Sequence, residues 1–269
     1  MPLPWGSWIV GLGALLGYAA ATWPKQAGSR WPESAFGIGW LLHGAALALD
    51  ILGLDEPSRG PRFGFGPALS VTVWLVIAVH AIESRFVPLP AVRRVLALLG
   101  AAAVLLQALY PGELRLHGGG QWMPLHWLLG IASYGLFGAA VLHALLLDAA
   151  ERQLRTRPGR PLPAPTLGMP LMRLERLTYG FVEAGFVVLS IALVFGWWTT
   201  LGTGLWRWDH KTVFSLLAWL VFATLLLGRS RFGWRGRTAV RVLYVGSLLL
   251  LMAYVGSRFV LEVILVRPS

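Results

Sequence analysis

The chain of 269 residues contains no cysteine. This absence excludes a disulfide framework, a thiolate metal site and a Cys-x-x-Cys redox centre. Charged residues are scarce, because Asp, Glu, Lys and Arg make up 13% of the chain, against about 25% in a typical soluble domain. Hydrophobic residues fill 56% of the chain, and the mean hydropathy is +0.64. These proportions exclude an ordinary soluble domain and favour a polytopic membrane protein.

Apolar runs long enough to cross a membrane recur along the whole chain, separated by Gly, Pro or charged breaks. We predict an all-α polytopic membrane helix bundle with about eight transmembrane helices, in a single integral membrane domain covering residues 1–269. The first apolar run resembles a signal peptide, but no Lys or Arg precedes Lys25, so we expect a retained first span. The predicted spans are residues 5–22, 35–54, 67–84, 92–110, 124–147, 178–200, 211–228 and 239–262.

Basic residues outnumber acidic ones by 23 to 12, which gives a formal net charge of +11. Most of the bases lie in the loops that follow spans 1, 3, 5 and 7. This distribution is typical of topology signals and contacts with lipid headgroups, and it argues against nucleic acid as a partner. The positive-inside rule predicts that both termini lie outside the cell membrane.

Ionisable groups inside the predicted spans are mostly histidines, and such groups are costly in a membrane unless they have a partner or a function. His43 lies in span 2, and His126 and His143 both lie in span 5. His126 and His143 are 17 residues apart, which corresponds to about 25 Å of helix, so these two imidazoles face opposite interfaces and cannot share one metal. Each histidine is a candidate ligand, and the alternative is an interfacial anchor or a core group bonded to a carbonyl.

Two acidic residues in the later spans have expected partners. Arg258 and Glu262 are four residues apart, so we expect them to neutralise each other on one helix face. Glu183 lies inside span 6, near its predicted inner boundary, and we expect it to pair with a basic loop residue or an inner histidine.

Tryptophan is dense between Trp197 and Trp219, where five of the chain's 14 tryptophans fall within 23 residues. The charged triplet Asp209-His210-Lys211 lies within this segment. Tryptophan prefers the boundary between membrane and water. A loop of this kind is typical of a platform for a flat, partly charged ligand, and the distribution of bases places it outside.

Haem matches this composition, because its iron takes an axial histidine and its propionates pair with cations such as Arg207 or Lys211. A quinone-binding or purely structural bundle matches the composition nearly as well. The sequence shows no nucleophile and base set, no phosphate loop and no close metal motif such as His-x-x-x-His.

Four blocks of the C-terminal half resemble the cytochrome c assembly family of haem-handling membrane proteins. The resemblance is to the CcsA/CcmC type, closest to its short YpjD/HemX-like branch in the bacterial plasma (inner) membrane. It covers roughly residues 120–262, while spans 1–4 match by hydropathy and span count alone. The blocks are His126 to Tyr134, Leu174 to Tyr179 with the helix up to Gly196, Trp206 to Lys211 with Trp219, and Gly233 to Arg237.

The resemblance implies a multi-pass membrane haem-binding protein of cytochrome c assembly that presents or relays haem at the outer face, without turnover chemistry. It implies a non-covalent, b-type haem with His126 as an axial ligand. Membrane lipids and other cytochrome c assembly or haem-biosynthesis proteins are the implied partners. The full set of candidate haem-binding residues is His126, Trp206, Trp208, Asp209, His210, Lys211, Trp198, Arg207, His43 and His143, of which His43 and His143 are further candidate iron ligands.

The chain departs from the family pattern at several positions. Val255–Leu265 contains no histidine where full-length members have a second external one, and Leu227 stands where they carry another at the end of span 7. His210 replaces the proline of the tryptophan signature, and His210 or His117 is the candidate for the missing outer ligand. The alternative function is an accessory or regulatory membrane protein of haem-protein biogenesis that does not itself bind haem. A transporter is disfavoured, because no two halves of the chain repeat.

Overall fold

The computed structural model describes residues 5–24, 30–54, 62–84, 90–114, 123–156, 171–201 and 208–265. Within these ranges the chain forms eight main helices, which confirms the all-α prediction, and one pair of two-residue antiparallel strands, β1 (Arg62–Phe63) and β2 (Glu113–Leu114). The helices are α1 (Trp5–Ala21), α2 (Trp31–Leu52), α3 (Phe65–Glu83), α4 (Pro90–Leu109), α5 (Met123–Thr156), α6 (Leu171–Leu201), α7 (His210–Phe232) and α8 (Gly236–Leu251).

The last helix does not stop at Leu251. It continues through a π-helical stretch, Met252–Gly256, one α-helical turn, Ser257–Phe259, and a second π-helical stretch, Val260–Ile264. In a π-helix each N–H bonds to a carbonyl five residues back, which widens the helix locally, and such stretches are frequent at functional sites.

Seven helices of the described chain are long and apolar enough to cross a membrane, and Gly6–Ala21 is a shorter apolar helix. All eight predicted spans are therefore helices, and the polytopic membrane prediction is confirmed. Helices α5 and α6 extend beyond their predicted spans, because the added residues are charged but favour helix, as in Ala149-Ala150-Glu151-Arg152. The outside location of both termini stays a prediction.

Contacts within the chain group it into two compact units. Unit 1 is Met1–Gly118 with Arg258–Ser269, and unit 2 is Gly119–Ser257. The single domain over residues 1–269 stays a prediction. Unit 2 holds almost all of residues 120–262, over which the four blocks of the sequence resemblance lie.

Unit 1 is built around a close contact between α1 and α2. A Cβ on Gly17 would lie 2.7 Å from the Cα of Gly39, so only glycine lets the two backbones approach this closely. Helix α4 packs against both α1 and α3. On α2 and α3, Trp40 and Trp74 stack with ring centroids 4.9 Å apart, and each indole N–H donates to the other residue's backbone carbonyl.

Unit 2 pairs α5 with α6 and α7 with α8, with further packing of α5 on α8 and of α6 on α7. Phe137 of α5 and Phe222 of α7 stack in its core with ring centroids 3.8 Å apart. Glycines on the other two helices make room for these rings, because a Cβ on Gly185 would meet Phe137 and one on Gly246 would meet Phe222. All four helices of unit 2 therefore contribute to this aromatic core.

Candidate functional site

Most of the described candidate residues lie at one end of unit 2, where α5 and α7 begin, α6 ends and the last helix turns π-helical. His126 at the start of α5 bonds to Ala192 of α6, and Lys211 at the start of α7 lies 5.5 Å above the Tyr254 ring. We call this region the tryptophan end and define it by His126, Trp197, Trp198, Trp208 and Lys211. Trp206, Arg207 and His117 lie outside the described residues.

The His126 imidazole is held in one tautomer. Its Nδ1 lies 3.0 Å from the backbone carbonyl oxygen of Ala192. A carbonyl only accepts, so Nδ1 carries the proton and donates, and the lone pair of the neutral ring is on Nε2. No other described residue forms a hydrogen bond with this ring. Histidines that bind metals are commonly arranged this way, with the second ring nitrogen donating to a carbonyl or carboxylate.

Helix α6 also shapes the space around this ring. A Cβ on Gly196 would lie 2.7 Å from Cε1 of His126 and 3.2 Å from its Nδ1. Glycine at this position therefore lets the imidazole lie directly against the α6 backbone. The ring is half-buried and lies against backbone atoms of α6.

The described tryptophans between Trp197 and Trp219 are of two kinds, exposed and packed. Trp197 and Trp198 at the end of α6 and Trp208 before α7 are 53%, 58% and 71% exposed. Trp219 is instead part of the packing, because its indole N–H donates to Ser190 and its ring stacks on Phe186. Exposed indoles at a helix end are available to a flat ligand, whereas Trp219 fixes α7 against α6.

Asp209 caps the N-terminus of α7. Its Oδ1 accepts from the backbone N–H of Thr212 at 2.9 Å and from the Thr212 hydroxyl at 3.0 Å. Partial burial raises the pKa of Asp209, but the two Thr212 bonds and the nearby Lys211 and His210 outweigh it and lower the pKa. The Asp209 carboxylate therefore orders the start of the helix that carries His210 and Lys211.

The π-helical stretch Met252–Gly256 packs against α7. The Tyr134 hydroxyl donates to the backbone carbonyl of Leu250, just before the stretch begins. Tyr254 within the stretch lies under the ammonium group of Lys211. Sequence reasoning missed Tyr254, since a tyrosine inside an apolar helix gives no sign that its ring meets a lysine at the start of the preceding helix.

The other two candidate iron ligands lie elsewhere. His43 is fully buried in unit 1, where its Nδ1 lies 3.0 Å from the Tyr18 hydroxyl and its Nε2 lies 2.7 Å from the Ser70 hydroxyl. His143 is buried in α5, with Nδ1 donating to the Ala139 carbonyl at 2.7 Å. The described residues contain no group of three or more His, Asp or Glu side chains that could hold a metal ion. Both ligand assignments stay predictions.

Two of the resembling blocks, Leu174 to Tyr179 and Gly233 to Arg237, each contact the last turns of α7, at the opposite end of unit 2. Arg229 near the end of α7 lies over the Tyr179 ring of α6 at 3.5 Å, and its guanidinium is 3.7 Å from Glu175. Gly233 ends α7 with a positive φ of 65°, and the Trp234 N–H bonds back to the Gly228 carbonyl. These residues have a clear packing role, which the sequence blocks alone did not separate from ligand binding.

The fold and the tryptophan end together define a multi-pass membrane helix bundle with a half-buried imidazole beside exposed indoles. The model of the family described as cytochrome C assembly protein matches residues 56–265. The chain therefore belongs to the cytochrome c assembly protein family, as the resemblance predicted. The match also includes α3 and α4, beyond the residues 120–262 that carry the sequence resemblance. Hydropathy is similar in unrelated membrane spans, so it did not show that α3 and α4 belong to the matched region.

Similar proteins are found in several bacteria. The chain is 32% identical over 210 residues to an uncharacterized 28.8 kDa protein of Azospirillum brasilense, covering 73% of this chain and 76% of that one. It is 29% identical to the inner membrane protein YpjD of Escherichia coli K12, over 81% and 82% of the two chains. It is 32% identical to the cytochrome c biogenesis protein CcsA of a Synechococcus strain, over 43% and 36%.

No solved structure matches the chain significantly. The apolar helices and the family membership make this a multi-pass protein of the bacterial inner membrane, as predicted. Family membership supports a role in cytochrome c biogenesis.

Proposed function

We propose that this protein binds haem at its outer face and presents or relays it during cytochrome c assembly, with His126 as an axial ligand to the iron. The observation that carries the proposal is the Nδ1 bond of His126 to the Ala192 carbonyl, which leaves the Nε2 lone pair available. The family membership supports the same role.

The neighbouring residues fit a flat ligand with acidic side groups. Trp198 and Trp208 expose indole faces suited to a macrocycle, and Lys211, together with Arg207, offers cations for propionates. Asp209 contributes by ordering the start of α7. A non-covalent, b-type haem matches a chain that has no cysteine to form thioether bonds.

His210 is the candidate for a second axial ligand within the described residues. It is the first residue of α7 and is exposed beside Lys211. His43 has both ring nitrogens bonded within unit 1, so we expect it to keep its structural role. His143 lies well along α5 from His126, and we expect it not to reach the same haem.

The proposal is tested by the absorption spectrum of the purified full-length protein after haem loading. We expect a Soret band that weakens strongly in His126→Ala, with a smaller change in His210→Ala if that residue is the second ligand. His43→Gln serves as the matched control and should retain the band. An unchanged band in His126→Ala would refute the assignment. Absence of any haem-dependent band would favour the accessory or regulatory function without haem.

A further inference from the structure

A groove of about 610 Å³ lies between α6 and α7, at the end of unit 2 opposite the tryptophan end. This volume is within the range of about 300–1,000 Å³ that is usual for small-molecule sites. Phe186, Leu226 and Leu227 form its apolar wall. Glu183, Arg229, Ser230 and Arg235 supply its polar groups. Neither the haem proposal nor the family resemblance assigns a role to this combination.

Glu183 is the least expected of these groups. It lies within the apolar segment Leu171–Thr200 of α6, and its side chain is exposed to the groove. It makes no hydrogen bond or ion pair with any other described residue, so the expected pairing with an inner histidine is not made. A carboxyl group at membrane depth is costly without a partner, and such residues commonly mark binding or transport sites.

The cations of the groove lie nearer the helix ends than Glu183. Arg229 is held in place by the Tyr179 ring and by Glu175, so its guanidinium is a positioned group. Arg235 follows α7 and is exposed at the rim. The Ser230 hydroxyl donates to the Leu227 carbonyl at 3.2 Å, which leaves its oxygen able to accept. The two arginines therefore offer hydrogen-bond donors and Ser230 offers an acceptor along the same wall of the groove.

This order of groups restricts the chemistry of the occupant. A phospholipid places its charged groups at the interface, where they would meet Arg235, but its acyl chains would then lie against the Glu183 carboxyl. An amine headgroup lies further out than its phosphate, so it does not reach Glu183 either. A better match is a compact polar ring that both donates and accepts hydrogen bonds and carries an apolar tail.

We propose that this groove binds a lipid-soluble quinol. One quinol hydroxyl donates to the Glu183 carboxylate, and the opposite oxygen accepts from Arg229. The isoprenoid tail lies along Leu226 and Leu227 and continues into the lipid. The proposal concerns binding alone, and it does not rest on haem binding at the tryptophan end.

The test is an equilibrium binding measurement on the full-length protein, free of added haem, in phosphatidylcholine nanodiscs. The probe is decylubiquinol, kept reduced under anaerobic conditions. We expect at least a tenfold loss of affinity in Glu183→Leu and in Leu227→Trp, which fills the groove. Leu227 is 59% exposed, so a larger side chain there is compatible with the fold. Glu151→Gln, a charge change on α5 outside the groove, is the matched control and should leave affinity unchanged.

Three results would overturn the proposal. The first is no binding of decylubiquinol to the wild-type protein. The second is wild-type affinity in both Glu183→Leu and Leu227→Trp. The third is displacement of the probe by phosphatidylglycerol in the wild type but not in Arg235→Gln, which would make the groove a site for anionic phospholipid.

Discussion

Gly196 of α6 lies directly against the His126 imidazole of α5, so that a Cβ at position 196 would be 2.7 Å from Cε1 of the ring. The same imidazole donates to the Ala192 carbonyl one turn earlier on α6. The backbone of α6 thus fixes both the position and the tautomer of the proposed ligand.

We expect Gly196→Ala to weaken haem binding without unfolding the protein. The added methyl group must push the ring away and weaken its bond to Ala192, while alanine itself favours helix over glycine by about 1 kcal/mol. Haem titration followed by the Soret band should show a loss of affinity of about tenfold, equivalent to about 1.4 kcal/mol.

Gly180→Ala is the matched control, because a Cβ on Gly180 of the same helix meets nothing within 4 Å. It should bind haem as the wild type does. Equal titrations for the two variants would show that contact with α6 does not position the ligand.

We expect Asp209→Ala to lower the stability of α7 by about 0.5–2 kcal/mol, because it removes an N-cap. Asp209→Ser should recover most of the loss. The folded-state pKa of Asp209 is lowered, so the stabilisation by its carboxylate is present above the usual Asp range and is lost as the pH falls through the folded-state pKa. Thermal denaturation in detergent between pH 3 and 7 should show a smaller acid-dependent loss in Asp209→Ala than in the wild type.

The helical fold was largely predictable because hydropathy reports membrane spans directly. The C-terminal end of α5 and the N-terminal start of α6 were not predictable from hydropathy. The apolar composition stops at the membrane boundary, while the charged residues beyond it continue the helix. The same limit applies to Glu183, where the sequence predicts a partner that the described chain does not provide.

The sequence predicted which residues form the candidate site better than it predicted what each residue does there. The tryptophan segment and His126 were found from residue types and the family resemblance. The division between exposed Trp208 and packed Trp219 depends on helix packing, as does the cap made by Asp209. Gly196 gave no sequence signal, because one glycine among many in an apolar helix does not reveal which ring lies against it.

We expect Gly228→Ala to destabilise the protein by about 1–3 kcal/mol through overpacking. A Cβ on Gly228 would lie 2.3 Å from the Trp234 ring, which is too close without a shift of the ring. The double variant Gly228→Ala, Trp234→Leu should be more stable than the sum of the single changes, because the smaller side chain makes room. Thermal denaturation of the wild type, the two single variants and the double variant gives the interaction energy between the two positions. Additive changes in stability would contradict the contact.

Arg258 is a buried charged residue of unit 1. The residue is 3% exposed, its Nη1 donates to Glu113 at 3.1 Å, and a Glu262 carboxylate oxygen lies 3.8 Å from the same nitrogen, which confirms the expected pairing with Glu262. Glu262 also accepts from the Phe65 N–H at the start of α3. The sequence missed Glu113, which is far from Arg258 along the chain.

We expect Arg258→Met to destabilise the protein by about 3–5 kcal/mol, because it leaves two carboxylates beside each other without their cation. Arg94→Met, at an exposed arginine of α4, is the matched control and should change stability little. The triple variant Arg258→Met, Glu113→Gln, Glu262→Gln should regain most of the loss, since it removes the uncompensated charges together with their partner. Thermal denaturation in detergent compares these variants. A triple variant no more stable than Arg258→Met would show that Arg258 acts through packing of its side chain and not through its charge.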